Sequence, residues 1–133
     1  MKSYSPKKAK KSKPGEYKTA KGMTFFVGRN NLQNDLLTKE ADKNDIWFHV
    51  KGATGSHVIL VTEGVEPEDS DYTEAASAAA YFSSLSEQPT VPVDYTRVKN
   101  IKKPQGSRAG FVTYKTNYTA YVKPIMPKKE QTL

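Results

Sequence analysis

The chain has 133 residues, no cysteine, 21 Lys and Arg against 14 Asp and Glu, and one Trp beside eight Tyr and five Phe. This length fits one domain with a modest core, and the aromatic content favours a folded unit carrying a polar tail over a wholly disordered chain. Disulfide frameworks, thiolate metal sites and cysteine nucleophiles are excluded. The longest apolar run, Val58 to Val61, is far too short to span a membrane, and no apolar stretch follows the basic N-terminus as a secretory signal requires, so a cytoplasmic protein is expected.

Residues 1–21 hold eight Lys and one Glu, whereas the remainder is neutral in sum. Residues 1–14, rich in Lys, Ser and Pro, predict a basic disordered arm; the folded domain is expected over 15–126 and a short tail over 127–133. Tyr17 to Ala20 and Met23 to Val27 predict a hairpin around Lys21-Gly22. Gly28-Arg29-Asn30-Asn31 breaks the second strand. Leu32, Leu36, Leu37 and Ala41 share one helical face, so a short helix follows over 32–39, capped by Asn30 or Asn31. Ile46 to Lys51 alternates: Ile46, Phe48 and Val50 face one way, Trp47, His49 and Lys51 the other. After the loop 52–55, His57 to Val61 predicts a central strand. Asp71 and Glu74 have capping-box spacing and open an alanine-rich helix over 71–85, ended by the prolines at 89 and 92. Strands are expected over 95–101, 110–115 and 118–122, the last two joined by a turn at Thr116-Asn117. The sum is an α+β domain with two helices packed on a mostly antiparallel sheet, in the order β-β-α-β-β-α-β-β-β.

Charge is segregated along the chain. Residues 63–94 carry eight acids and no Lys or Arg; residues 97–129 carry nine basic residues and no acid. A basic edge made of Arg97, Lys99, Lys102, Lys103 and Arg108, together with the arm, is a footprint for a polyanion, and its competitor is a merely solvated surface. Arg29, Asn30, Asn31 and Asn34 lead into a helix N-terminus, where free N–H groups favour an anion and Arg29 offers a bidentate contact. His49 and Lys51 could stack a base and neutralise a phosphate, while Trp47 is expected to be buried. Gly52-Ala53-Thr54-Gly55 spells the GXXG of KH domains, but strands rather than helices flank it. His49, His57 and Asp45 or Asp35 could in principle hold a metal, yet nothing in their spacing makes them converge. No Walker loop and no GxSxG elbow occurs. No enzyme activity, metal or cofactor is therefore expected. The competing readings are a nuclease or phosphoesterase built on His49, His57 and Asp45, and a protein-binding adaptor using the acidic stretch 63–74.

Several segments in order resemble one family. They are Val27-Gly28-Arg29-Asn30-Asn31 with Gln33-Asn34-Asp35, Lys43 to His49, and Gly55-Ser56-His57-Val58. Further on come Glu74-Ala75-Ala76, Val91 to Tyr95, Val98-Lys99-Asn100 with Lys102-Lys103-Pro104, and Tyr121-Val122. Over roughly 23–124 the chain resembles the NFACT RNA-binding domain, NFACT-R. The resemblance implies binding of structured RNA, tRNA or rRNA; Lys43, Asn44, Asp45, His57 and Asn100 of its motifs join the candidate RNA contacts, as does the Ser56 hydroxyl, which the loop at 52–55 could offer to a phosphate. In its familiar setting this domain sits in ribosome quality-control factors that bind the large ribosomal subunit and tRNA, so a translation-linked role is implied. This chain is expected to be a stand-alone version to which the Lys-rich arm is an addition.

Overall fold

The structure, a computed structural model, describes residues 13–128; most of the expected arm and tail lies outside them. Six strands form one sheet: β1 (Gly15–Lys18), β2 (Thr24–Val27), β3 (Ile46–Val50), β4 (Val58–Leu60), β5 (Val91–Arg97) and β6 (Tyr118–Val122). Their order is β1-β2-β4-β3-β5-β6 and every neighbouring pair is antiparallel. Two helices, α1 (Asn31–Glu40) and α2 (Asp69–Tyr81), cover opposite faces. The architecture is the expected α+β one.

The α2 face is the apolar core. Phe25, Ile46, Phe48, Val58, Leu60 and Val93 pack against a helix whose buried side chains include Ala75, Ala76, Ala78, Ala79 and Ala80. Alanine costs no rotamer entropy and lets the helix approach closely, so the burial of the larger strand residues, roughly 1.5–3 kcal/mol each, is realised against its backbone. The helix begins two residues earlier than the capping-box spacing predicts. Asp71 is the third helical residue, not the cap, and its Oδ2 accepts from the Glu68 N–H at 2.8 Å. Its Oδ1 accepts from Thr19 Oγ1 at 2.7 Å, which ties the β1–β2 turn to the helix.

The α1 face is built differently, and two expectations fail there. Leu32 and Leu36 do not face the sheet; they are 59% and 37% exposed, and the buried residues of α1 are Gln33, Asn34 and Thr38. Leu37 and Ala41 do pack inward, against Trp47, Ile59 and Val98, while Gln33, Asn34 and Thr38 meet two backbone N–H groups and an imidazole, which select polar partners rather than methyl groups. Gln33 Oε1 accepts from Arg29 N–H (2.8 Å), and Asn34 Oδ1 from His57 N–H (3.0 Å). Asn30 is the N-cap, as predicted, accepting from Gln33 N–H at 2.9 Å. The second failure is the strand expected over 110–115. Those residues make a single bridge, Thr113 to Lys102, and β6 pairs with β5 instead, so the chain has one strand fewer than expected. Pro104, Gly106 and Gly110 bend the segment across the sheet, where Val112 and Tyr114 cover Trp47 and Ile59.

His57 fastens this segment to the helix. Its Nε2 lies 3.1 Å from the Gly110 carbonyl, which can only accept, so Nε2 carries the proton and Nδ1 accepts from Thr38 Oγ1 at 2.7 Å. Gly110 N–H donates to Asp35 Oδ1 at 2.8 Å. Gly110 also has φ +87°, a conformation that disfavours any side chain. Burial, and then the neighbouring His49, push the His57 pKa down to about 4. Gly28 sits under the same cluster, where an added Cβ would lie 2.0 Å from Asn34 Oδ1.

Two outcomes are expected. Gly28→Ala displaces Asn34 and orphans the His57 N–H, and urea unfolding should show a loss of roughly 2–4 kcal/mol. The imidazole of His57 takes a proton below pH about 6.5 in the unfolded chain but only below about 4 in the folded one. Between those values the unfolded state binds more protons, so stability falls on acidification through this window, by roughly 3 kcal/mol in all. Burial lowers the His49 pKa as well. Unfolding curves at pH 7, 5.5 and 4.5 should therefore show a steep loss in the parent and a shallower one in His57→Gln; an equal loss in both would exclude the assignment.

Candidate nucleic-acid interface

Residues 101–115 divide the α1 face into two adjoining clefts, with Val112 lining both. The first, about 370 Å³, lies among Trp47 and His49 of β3, the turn 52–55, Asn31 and Asn34 of α1, and residues 108–111. The second, about 280 Å³, is bordered by Asp35, Lys39, Lys43 and Lys103.

Several aromatic and titratable groups line the first cleft. Trp47 is 1% exposed, as expected, and its indole is stacked on the His49 ring at 5.9 Å and tilted against Tyr114 at 5.0 Å. Its Nε1–H has no hydrogen-bond partner among the described residues. His49 Nδ1 donates to the Val50 carbonyl at 2.6 Å. Burial lowers the His49 pKa, although the Val50 and Gly55 carbonyls oppose it, so the ring is neutral at pH 7. Tyr114 is held by its hydroxyl, which donates to buried Asp94 Oδ2 at 2.7 Å; burial and this bond raise its pKa. Asp94 Oδ1 accepts from Thr119 Oγ1 at 2.8 Å and has Lys51 Nζ at 3.5 Å.

The residues singled out from the sequence do not all converge. Asn31, Asn34, His49 and His57 share the first cleft, and Lys43 and Lys103 the second. Asn34 and His57 are buried and hold the fold there. Lys103 is likewise engaged: its Nζ donates to the Phe111 carbonyl at 2.9 Å and lies 3.3 Å from Asp35 Oδ2. Arg29, Asn30, Lys99 and Lys102 are exposed. Lys51, also exposed, is paired with Asp94, and Ser56 is half-buried beside His57. Asn44 N–H closes a turn on Asp42 Oδ1 at 2.9 Å, and Asn100 Nδ2 donates to Thr96 Oγ1 at 2.8 Å.

Two placements correct the sequence reading. Arg97 does not belong to the basic edge: its guanidinium pairs with Glu66 at 2.5 Å and donates to the Asn44 carbonyl. Asp45 is buried, and its Oδ1 accepts from Thr62 N–H (3.0 Å) and Thr62 Oγ1 (3.2 Å) at the end of β3 remote from His49. It cannot join His49 and His57 in a hydrolytic site. Among the described residues no group of three His, Cys, Asp or Glu is placed to hold a metal ion. The turn 52–55 lies between β3 and β4, so the KH likeness of its letters carries no fold.

Phe111 and Tyr114 were missed as site residues. Their only mark in the sequence is that they are aromatic residues within a glycine-containing basic segment. Arg108 stands over the Phe111 ring, 5.3 Å from its centroid.

Comparisons with known proteins agree with this architecture. The family described as the NFACT protein RNA binding domain matches residues 13–115, which leaves β6 beyond the matched stretch. The protein named Rqc2 homolog RqcH from Bacillus subtilis (strain 168) is 44% identical over 121 residues, covering 86% of this chain and 21% of that protein. Its namesake from Streptococcus suis (strain 05ZYH33) is 45% identical, covering 90% of this chain and 22% of that protein. This chain thus spans about a fifth of the length of these curated relatives. A Dictyostelium discoideum protein named coiled-coil domain-containing protein 25 homolog is 29% identical over 94 residues, covering 67% of this chain and 46% of that protein. Among solved structures, the C-terminal part of the fibronectin/fibrinogen-binding protein from Streptococcus suis superposes with a TM-score of 0.81 at 43% identity, covering 85% of this chain and 46% of that one. With the six-stranded sheet, the two helices and the matched stretch in agreement, the chain belongs to the NFACT RNA-binding domain family.

Proposed function

We propose that this chain is a non-catalytic module that binds structured RNA, tRNA or rRNA, through its α1 face, in a translation-linked setting such as ribosome quality control. The observation that carries this reading is the cluster of unpaired cations around the two clefts of the α1 face. On the other side Lys21 pairs with Glu68, and Arg97 with Glu66. Around the two clefts of the α1 face, Lys39, Lys43 and Arg108 make no ion pair among the described residues, and the same holds for Lys99 and Lys102 nearby. Unpaired lysines and arginines on one surface, beside small polar clefts, are what a ribose-phosphate chain needs: the cations meet phosphates and release counterions, and the clefts admit hydrogen-bonding groups. Membership of the NFACT RNA-binding domain family supports the translation-linked setting, and the arm of residues 1–14, with six further lysines, would add phosphate contacts.

A filter-binding titration over salt checks the reading. Log affinity for a tRNA should fall by about 0.7–0.9 per neutralised phosphate for each decade of salt. Lys102→Ala and Arg108→Ala should each weaken binding and lower that slope by roughly one, whereas Arg97→Ala should leave the slope unchanged. A salt-independent affinity, or an Arg97 effect equal to that of Arg108, would overturn the proposed face. Deletion of residues 1–14 should reduce the slope by at most about 5 and leave residual binding by the folded domain; complete loss would mean that the arm, not the α1 face, holds the RNA.

A further inference from the structure

The first cleft has features that phosphate contacts do not use. Its volume, about 370 Å³, lies at the small end of the ~300–1,000 Å³ typical of small-molecule sites, too small for a helix and suited to one nucleotide. The turn 52–55 borders it with small side chains and exposed backbone. On another side stands Phe111, 39% exposed, an unusual place for a phenylalanine, with the Arg108 guanidinium over its ring. Arg108 makes no ion pair among the described residues, so its charge is available to a ligand. Deepest is Trp47, whose Nε1–H is the one buried side-chain polar atom without a partner among the described residues. A buried orphan donor costs roughly 1–3 kcal/mol, and lining a cleft is the position in which a ligand or the water beneath it can answer it.

From this geometry we infer that the cleft between Trp47, the turn 52–55 and Arg108–Phe111 receives a single unpaired nucleotide of the bound RNA. Its base stacks on Phe111 and packs against His49, beneath which the Trp47 indole forms the buried floor, and its phosphate meets Arg108. The aromatic residues contribute stacking, which tolerates any base; the neutral His49 and the Asn31 amide add hydrogen-bonding groups at the edge of the cleft. An RNA with a bulged or overhanging nucleotide is thus preferred over a fully paired one. This rests on the RNA-binding reading and adds to it a structural requirement on the RNA.

Trp47 is the sole tryptophan, so its fluorescence reports on this cleft alone. The full chain would be titrated with two RNA hairpins of equal length, one fully paired and one carrying a single bulged adenosine, following both Trp emission and filter retention. The bulged hairpin should bind tighter by roughly 5- to 100-fold, the range of one base stacked on an aromatic side chain, and should change Trp emission where the paired hairpin does not. Phe111→Ala, at an exposed position and checked by thermal melting, should remove the preference for the bulged hairpin; a preference undiminished in this variant would overturn the inference. Equal binding of both hairpins with unchanged emission would overturn the inference and leave RNA binding standing. Retention of neither hairpin would overturn both. Adenosine monophosphate changing the emission as strongly as the bulged hairpin at the same concentration would make this a site for free nucleotides and overturn its assignment to RNA.

Discussion

A neutral imidazole out of contact with water holds the α1 face together. Two segments distant in sequence meet at His57: α1, through the Thr38 hydroxyl and the Asn34 side-chain oxygen, and the Gly110 carbonyl each take hydrogen-bonding groups of this residue. Every polar group of the residue is thereby engaged, so the interaction is strong only while it is complete. A charged ring would meet an unfavourable, poorly solvated site, and a missing partner would leave a buried donor or acceptor unanswered. The two faces of the sheet are therefore stabilised by different physics. Under α2 the gain is apolar area against a smooth alanine surface; under α1 a smaller apolar cluster around Trp47 and Ile59 is joined by the closure of a polar network.

That difference bears on where the proposed binding surface lies. The charges at the margin of the apolar core face include pairs such as Arg97 with Glu66. A polar face tolerates clefts, because its geometry is fixed by directional bonds and not by filling every void. Asp35 shows how far the fixing extends: one carboxylate receives the Gly110 amide and lies beside the Lys103 ammonium, and so sets the path of residues 103–111 from a helix that precedes them by some seventy residues. Asp94 does the same for Tyr114. The anionic groups of this side thus position the segment, and the lysines and Arg108 that remain unpaired are presented to solvent.

Much of this was legible before any coordinates. Alternation placed Phe48 in the core and Trp47 on the other face; Asn30 or Asn31 was marked as the cap before an apolar stretch; and the ordered motifs indicated the family. Local rules suffice for such features because a strand's two faces and a helix's first turn are decided by neighbours in sequence. The buried side of α1 was legible in part: Leu37 and Ala41 pack inward, but Leu32 and Leu36 do not, because Gln33, Asn34 and Thr38 are buried in their stead against two backbone amides and an imidazole.

The sequence by itself determined most strands of the sheet and its core face, the turn between β1 and β2, and a strongly basic inventory. The tertiary structure alone decided which cations remain unpaired, which of two expected strands becomes a cover over Trp47, and which side of α1 is buried. The physical reason is that an ion pair or a buried hydrogen bond is settled by where a second group stands, and those second groups lie tens of residues away: Glu66 for Arg97, Asp35 for Lys103, Gly110 for His57. No local pattern records such distances.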